Sequence, residues 1–261
     1  MRERSFHPSF LVFLFIFLSL PLAAEEKTIP LLISDHHADH REFFLRFAAD
    51  SSAGMLVLDA HADTAAFIER CHDIGNHNWI HALAPRLATL AWISTIQGLP
   101  RSDKLEGFLK SIAAWNLPIR TEYLSVEELR FLEITEKKLF ISVDLDFFYS
   151  EDYGPDDVPA VLQALFAFTA HWPGPAVWAI CLSRLWLPSD NYAWTVLEKT
   201  LQWLCSRSEF HAPELTLFNS RRVDTSLAAQ ACRAEGREPP ALREADTPAH
   251  IRALIQELLD R

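Results

Sequence analysis

The sequence predicts one α/β domain in which a mainly parallel sheet lies between two layers of helices. Short apolar stretches typical of strands alternate with longer stretches typical of helices, and this alternation predicts parallel strand pairing. The predicted strands are apolar along their whole length, as expected when helices cover both faces of a sheet. The 261 residues fit one large domain, and no internal repeat or convincing linker divides them.

The predicted strands are short and apolar, and several are rich in β-branched or aromatic residues. They are IPLLIS at 29–34, GMLVLD at 54–59, the region around 90–95, KKLFISVDLDFF at 137–148, AVWAICLS at 176–183 and, as a further candidate, ELTLFNS at 214–220. Between them, apolar residues at helical spacing or capping residues predict helices. These are 39–50, a helix that starts at 78 and breaks near Pro85, 103–115, 155–172, 190–207 and 246–261.

The charge of the chain limits its partners. The formal net charge is -11, and nucleic-acid-binding proteins usually present a basic face. We therefore predict no nucleic-acid partner. An acidic protein can instead hold cations, and we expect a small-molecule or peptide substrate. The oligomeric state cannot be read from the sequence.

The first 24 residues have the layout of a secretory signal peptide. Arg2 and Arg4 precede an apolar run from Phe10 to Leu20, which Pro21 and small residues follow. That run is shorter than the roughly 20 residues that span a bilayer. We predict cleavage near Ala23 or Ala24, export to the periplasm or the exterior, no stable membrane insertion after cleavage, and a mature domain at 25–261. The alternative is an uncleaved or lipid-associated anchor.

Export bears on the four cysteines, Cys71, Cys181, Cys205 and Cys232, because they would meet an oxidising compartment. Disulfides and buried free thiols both remain open. A zinc cluster that combines Cys71 with nearby histidines is disfavoured, since the adjacent Cys71 and His72 make poor ligand geometry.

Acidic and imidazole side chains follow three of the predicted strands. Ligands bind at the carboxyl ends of parallel strands, so these side chains should meet at one edge of the sheet. Taken singly, such motifs are usually caps or solvated turns. Together they would form a costly cluster of like charges unless cations neutralise it. Carboxylates and imidazoles suit two divalent ions, with Mn favoured and Fe or Zn also compatible. The side chains are Asp35, His36, His37, Asp59, His61, Asp63, Asp144 and Asp146.

The order of these motifs resembles that of the metal ligands in the arginase/ureohydrolase superfamily. There, D-H follows one strand, D-A-H-x-D the next, and S-x-D-x-D a later one. More closely, SDHHADHREFF, LDAHADT, NWI and SVDLDFF resemble the UPF0489 family, an arginase-like group. The resemblance covers roughly residues 30–205 and implies a compact, arginase-like variant of the predicted fold.

The resemblance also implies a ligand set. The first ion would be held by His36, Asp59, Asp63 and Asp144, and the second by Asp59, His61, Asp144 and Asp146, so that two carboxylates bridge the ions. His37 is the alternative to His36. The usual ions in the superfamily are manganese, and the usual reaction hydrolyses a guanidinium carbon through a hydroxide that bridges the two ions.

Two catalytic roles follow from the same resemblance. Asp146 would orient the attacking water and accept its proton, and His77 would return a proton to the leaving amine. The alternative for His77 is a solvated histidine in the first turn of a helix. The chain also departs from the superfamily pattern, because Leu185 stands where a guanidinium-binding Glu is expected and Asp190 is the nearest acid.

The leading hypothesis is therefore a metal-dependent hydrolase of C–N bonds, acting on guanidinium groups of arginine in peptides or small molecules. One alternative is a metal-binding or regulatory arginase-like domain without catalysis, which Leu185 favours. Another is a deacetylase or amidohydrolase with a single zinc ion, which metal stoichiometry would distinguish.

Overall fold

The computed structural model describes residues 28–48, 52–64, 78–95, 101–172, 174–210, 213–217 and 246–261. Seven parallel strands form one sheet in the order β4-β3-β2-β5-β6-β1-β7. They are β1 (Leu31–Ser34), β2 (Ala53–Leu58), β3 (Leu87–Ile93), β4 (Arg120–Leu124), β5 (Leu139–Asp144), β6 (Ala176–Cys181) and β7 (Glu214–Thr216).

Six α-helices accompany the sheet within the described residues. They are α1 (Ala38–Phe47), α2 (Trp79–Leu83), α3 (Arg101–Trp115), α4 (Val158–Ala170), α5 (Asp190–Cys205) and α6 (Ala249–Leu259). Among these residues, no helix combines the length and the apolar character needed to cross a membrane. The predicted signal peptide lies outside the described residues and stays a prediction.

Two apolar cores lie on opposite faces of the sheet, and β2 shows why. Its residues alternate between the faces, so that Met55 and Val57 belong to one core while Leu56 and Leu58 belong to the other. Helices α1 to α3 pack against the first face, and α4 to α6 pack against the second. The predicted α/β class, with a parallel sheet between helical layers, is confirmed.

Two elements differ from the sequence prediction. Strand β4 was not predicted, because RTEYL is polar, and it forms at the edge of the sheet where its residues stay partly exposed. Strand β5 ends at Asp144 rather than at Phe148, and a 3-10 helix follows at Leu145–Phe148. That early turn brings Asp146 back beside Asp144, whose Oδ1 accepts the Asp146 amide at 2.9 Å.

Gly174 lies where no side chain fits. A Cβ atom there would approach the carbonyl oxygen of Lys137 to 1.9 Å. We expect Gly174→Ala to lower the free energy of unfolding by about 1–3 kcal/mol, because the clash is with backbone and cannot relax by side-chain rotation.

Urea unfolding checks this prediction, with Gly107→Ala in α3 as the matched control. A Cβ at Gly107 meets nothing within 4 Å, so the control should gain about 0.5–1 kcal/mol from helix propensity. Equal effects of the two substitutions would contradict the close approach at Gly174.

Candidate metal centre

Four carboxylates and two imidazoles meet at the carboxyl edge of the sheet. They follow the ends of β1, β2 and β5, which lie close together in the sheet order and point the same way. Asp59 and Asp146 are fully buried, whereas the His61 side chain is 44% exposed. The group is therefore closed on the protein side and open to solvent beside His61.

His37 makes the densest set of contacts in this group. Its Nδ1 atom lies 2.7 Å from Asp63 Oδ2, 3.2 Å from Asp144 Oδ2 and 3.6 Å from Asp59 Oδ2. One imidazole nitrogen thus faces carboxylates from two different strand ends.

The predicted ligand His36 takes a different position, with its Nδ1 accepting the backbone amide of Ala38 at 3.3 Å. The chain turns between the end of β1 and the start of α1, so consecutive side chains point in different directions. The donor sets that could hold an ion contain the His37 ring, and we therefore carry His37, the predicted alternative to His36, forward as the candidate ligand.

The second half of the group centres on His61. Its backbone amide donates to Asp59 Oδ1 at 2.7 Å, and its Nδ1 lies 2.9 Å from Asp146 Oδ2. On the solvent side, the His61 ring lies 4.9 Å from the ring of Trp186, which is itself 45% exposed. The Trp186 ring therefore lies beside the solvent-exposed side of the group.

Three further residues hold the carboxylates in place. Ser183 Oγ donates to Asp144 Oδ2 at 2.5 Å, and Trp79 Nε1 donates to Asp63 Oδ2 at 3.0 Å. Trp92 Nε1 donates to the backbone carbonyl of Asp59 at 3.0 Å. Sequence reasoning assigned none of these roles, although Ser183 closes the predicted strand 176–183 and Trp79 belongs to the NWI motif.

Burial and mutual repulsion disfavour the charged forms of the carboxylates in this group. Burial, together with the charges of Asp63 and Asp144, raises the pKa of Asp59 well above its usual value. Burial and the charge of Asp146 raise the pKa of Asp144 to about 7. Burial disfavours the charged form of His37, but Asp144 and Asp63 outweigh it and raise its pKa to about 9.

These features fit divalent cations. Asp59 Oδ2 is buried and has no hydrogen-bond partner among the described residues. A bound cation would be coordinated by this oxygen. Donor atoms of His37, Asp59 and Asp144 lie within 4.8 Å of one another, and so do those of Asp59, His61 and Asp146. Asp59 belongs to both sets, which is the arrangement needed for two neighbouring ions that share a carboxylate.

The structure does not describe some of the residues singled out in the sequence. His77, Cys71 and His72 lie outside the described residues, so the predicted proton shuttle stays a prediction. Cys181 and Cys205 are free thiols. The Leu185 side chain also lies outside the described residues.

Asp190, the acid nearest to the expected guanidinium-binding position, is paired with the chain's own Arg184. Arg184 Nε donates to Asp190 Oδ1 at 3.0 Å and Nη2 lies 2.8 Å from Oδ2. The Arg184 side chain is 2% exposed and lies over the Trp194 ring. Asp190 itself is 57% exposed, so its carboxylate binds an internal guanidinium on one side and stays open to solvent on the other.

Comparisons with known proteins give likenesses to solved structures alone. No family model matches the chain, and no curated protein matches it significantly. Among solved structures, the chain is similar to the crystal structure of Helicobacter pylori arginase, with a TM-score of 0.44 and 16% sequence identity. The similarity covers 68% of this chain and 73% of that chain.

Trp79 offers a test of how the carboxylates are held. Trp79→Phe keeps a buried aromatic ring but removes the donor to Asp63, so we expect a loss of about 1–2 kcal/mol in the free energy of unfolding. Metal affinity should also fall, because Asp63 loses a group that orients it. Isothermal titration with Mn²⁺ measures the affinity, and unchanged binding would show that His37 alone suffices to position Asp63.

Proposed function

We propose that the chain is a metal-dependent hydrolase of C–N bonds that acts on guanidinium groups of arginine in peptides or small molecules. One observation supports this most strongly, namely two sets of buried donors that share Asp59 at the carboxyl edge of a parallel sheet. Mn²⁺ is the ion we favour, because oxygen donors dominate the set, and Fe²⁺ or Zn²⁺ are the alternatives.

The ligands divide between two ions. His37, Asp59, Asp63 and Asp144 would hold one ion, and Asp59, His61, Asp144 and Asp146 the other. When bound, the pair would neutralise the carboxylates, polarise the substrate and lower the pKa of a water molecule. This division is the one that the resemblance implies, except that His37 takes the place of His36.

The protein's own groups supply the remaining chemistry. Asp146 is assigned to orient the attacking water and to accept its proton at Oδ2, the atom that lies 2.9 Å from His61 Nδ1. Water then attacks the trigonal carbon, the C–N bond breaks, and the proton accepted by Asp146 is returned to the departing amine, with His77 as the proposed donor. The half-exposed rings of His61 and Trp186 flank the approach to this position.

A specific observation favours a second candidate, a metal-binding arginase-like domain without catalysis. The Arg184–Asp190 pair occupies the acid nearest to the expected guanidinium position. A single-zinc deacetylase, the third candidate, would bind one ion per chain instead of two.

Elemental analysis combined with a substrate panel tests the proposal. Metal-free protein is loaded with Mn²⁺, its stoichiometry is measured, and urea release from arginine, agmatine and arginyl peptides is followed. We expect two ions per chain and urea from at least one substrate, with Asp146→Asn reducing turnover at least a hundredfold, in the range of a lost general base. Two ions without urea release would favour the non-catalytic domain, and one zinc ion would favour the deacetylase.

A further inference from the structure

A second group of donors shares His37 with the candidate metal centre. It consists of His37, His40 and Cys181, whose donor atoms lie within 4.8 Å of one another. All three side chains are buried, at 1%, 0% and 0% exposure. We call them the buried trio. Neither the sequence motifs nor the proposed hydrolysis uses His40 or Cys181.

The fold explains why the buried trio forms. His37 and His40 are three residues apart at the start of α1, so one helical turn brings their rings to the same face. The ring centroids lie 4.9 Å apart in an edge-on arrangement. Cys181 ends β6, where it pairs with Ser34 of β1 on one side and Asp144 of β5 on the other.

Each histidine of the buried trio uses its Nδ1 atom in a polar contact, which leaves its Nε2 atom to be considered. His37 Nδ1 faces Asp63, and His40 Nδ1 lies 2.9 Å from Ser142 Oγ. In contrast, the Nε2 atoms of both rings are buried and make no hydrogen bond among the described residues, although the Ile180 backbone lies near the His40 ring. A buried polar atom without a partner is destabilising, so these nitrogens beside a thiol point to a ligand that they could bind.

We propose that the buried trio binds a thiophilic ion, with Zn²⁺ as the physiological candidate, through the two Nε2 atoms and the Cys181 sulfur. Imidazole nitrogen and thiolate sulfur are the donors that select Zn²⁺ over harder ions such as Mn²⁺. Zn–N and Zn–S bonds of about 2.0–2.3 Å place donor atoms at most about 4.5 Å apart. The donor atoms of the three residues lie within 4.8 Å of one another, which is close to that limit.

Binding at the trio has a defined proton balance. The Cys181 thiol and the imidazolium of His37 each release one proton to solvent, the sulfur and the freed Nε2 lone pair form metal bonds, and His40 binds as a neutral ring. His37 Nδ1 then keeps its proton and its contact with Asp63, so Zn²⁺ at the trio should weaken Mn²⁺ binding at the neighbouring carboxylates, both by occupying His37 and by direct repulsion.

Co²⁺ is the probe of choice, since thiolate coordination gives it a charge-transfer absorption band that carboxylate ligands do not produce. The full chain is stripped of metal, kept reduced with a phosphine and titrated with Co²⁺. We expect one equivalent to generate the band and Zn²⁺ to abolish it by displacement. Absence of the band, also after refolding in the presence of Co²⁺, would overturn the proposal.

Three variants locate the thiolate. Cys181→Ser should remove the band, whereas Cys205→Ser should keep it, because Cys205 lies away from the trio with its Sγ donating to Leu254 O at 3.5 Å. Asp63→Asn should also keep the band while it weakens Mn²⁺ binding, which separates this proposal from the hydrolase proposal. A band that survives in Cys181→Ser would assign the thiolate to another cysteine and overturn the site.

X-ray absorption of the zinc-loaded wild-type protein gives a readout that needs no variant. One sulfur and at least two imidazole nitrogens are expected around the ion. A shell of nitrogen and oxygen alone would place Zn²⁺ at the carboxylates and contradict the trio, even if Cys181→Ser failed to fold.

Discussion

Asp59→Asn is expected to abolish the stabilisation that Mn²⁺ gives to the wild-type protein. Asp59 belongs to both donor sets, so its loss removes a ligand from each ion. At a hundredfold excess over Kd, a bound ion stabilises the folded state by about 2.7 kcal/mol. For a domain of this size, that corresponds to a shift in Tm of about 5–10 °C, which thermal unfolding with and without Mn²⁺ measures.

The metal-free protein should respond in the opposite direction. Burial and the neighbouring carboxylates raise the pKa of Asp59, so its charge destabilises the fold when no ion is bound. The isosteric amide removes that charge and can still accept the His61 amide. Metal-free Asp59→Asn should therefore be at least as stable as the wild type.

Asp156→Asn is the matched control for this experiment, because the Asp156 side chain is 95% exposed and pairs only with the surface residue Lys199 in the described contacts. It should leave the Mn²⁺ response unchanged. If Asp59→Asn retained the full Mn²⁺ shift and the full metal content, the metal site would lie elsewhere in the chain.

His37→Gln is expected to reduce the metal content from two ions to one and to destabilise the metal-free protein. The buried imidazole lies within 3.2 Å of both Asp63 and Asp144, and its positive charge partly offsets theirs. Removing one partner of a buried pair costs about 3–5 kcal/mol. Urea unfolding of the metal-free protein and elemental analysis of the loaded protein check the two effects.

His36→Gln distinguishes the structural assignment from the one that the sequence motifs imply. His36 Nδ1 accepts the Ala38 amide at the start of α1 at 3.3 Å. Its replacement should cost at most about 1 kcal/mol, comparable to the loss of a helix cap, and should leave both ions in place. Loss of an ion in His36→Gln, with normal content in His37→Gln, would restore the motif-based assignment.

Most of the site could be predicted because it depends on local sequence and on one general property of parallel sheets. D-A-H-A-D directly follows a continuously apolar strand, and parallel strands share direction, so Asp59 and Asp63 had to approach Asp144 at the same edge. No side-chain geometry was needed for that inference.

The choice between His36 and His37 could not be made in this way. It depends on how the chain turns between β1 and α1. A shift of one residue along that turn would change which ring faces the carboxylates. The roles of Ser183 and Trp79 could not be predicted from the sequence either. Their hydrogen bonds to Asp144 and Asp63 join residues that are 39 and 16 positions apart in the chain.

The pairing of Asp190 with Arg184 and the meeting of Cys181 with His37 and His40 are also tertiary results. Cys181 is 141 positions beyond His40 in the chain, and the sheet order, with β6 between β5 and β1, brings them together. No periodicity in the sequence encodes that order.

The sequence by itself determined the fold class, the sheet edge at which polar groups collect and the carboxylates of the candidate centre, since all three follow from strand-length apolar runs and the residues directly after them. Only the tertiary structure decided which histidine faces those carboxylates, which acid is already paired and which buried thiol lies beside two unpaired nitrogens. These depend on turn geometry and on strand order, which arise from packing between segments far apart in the chain.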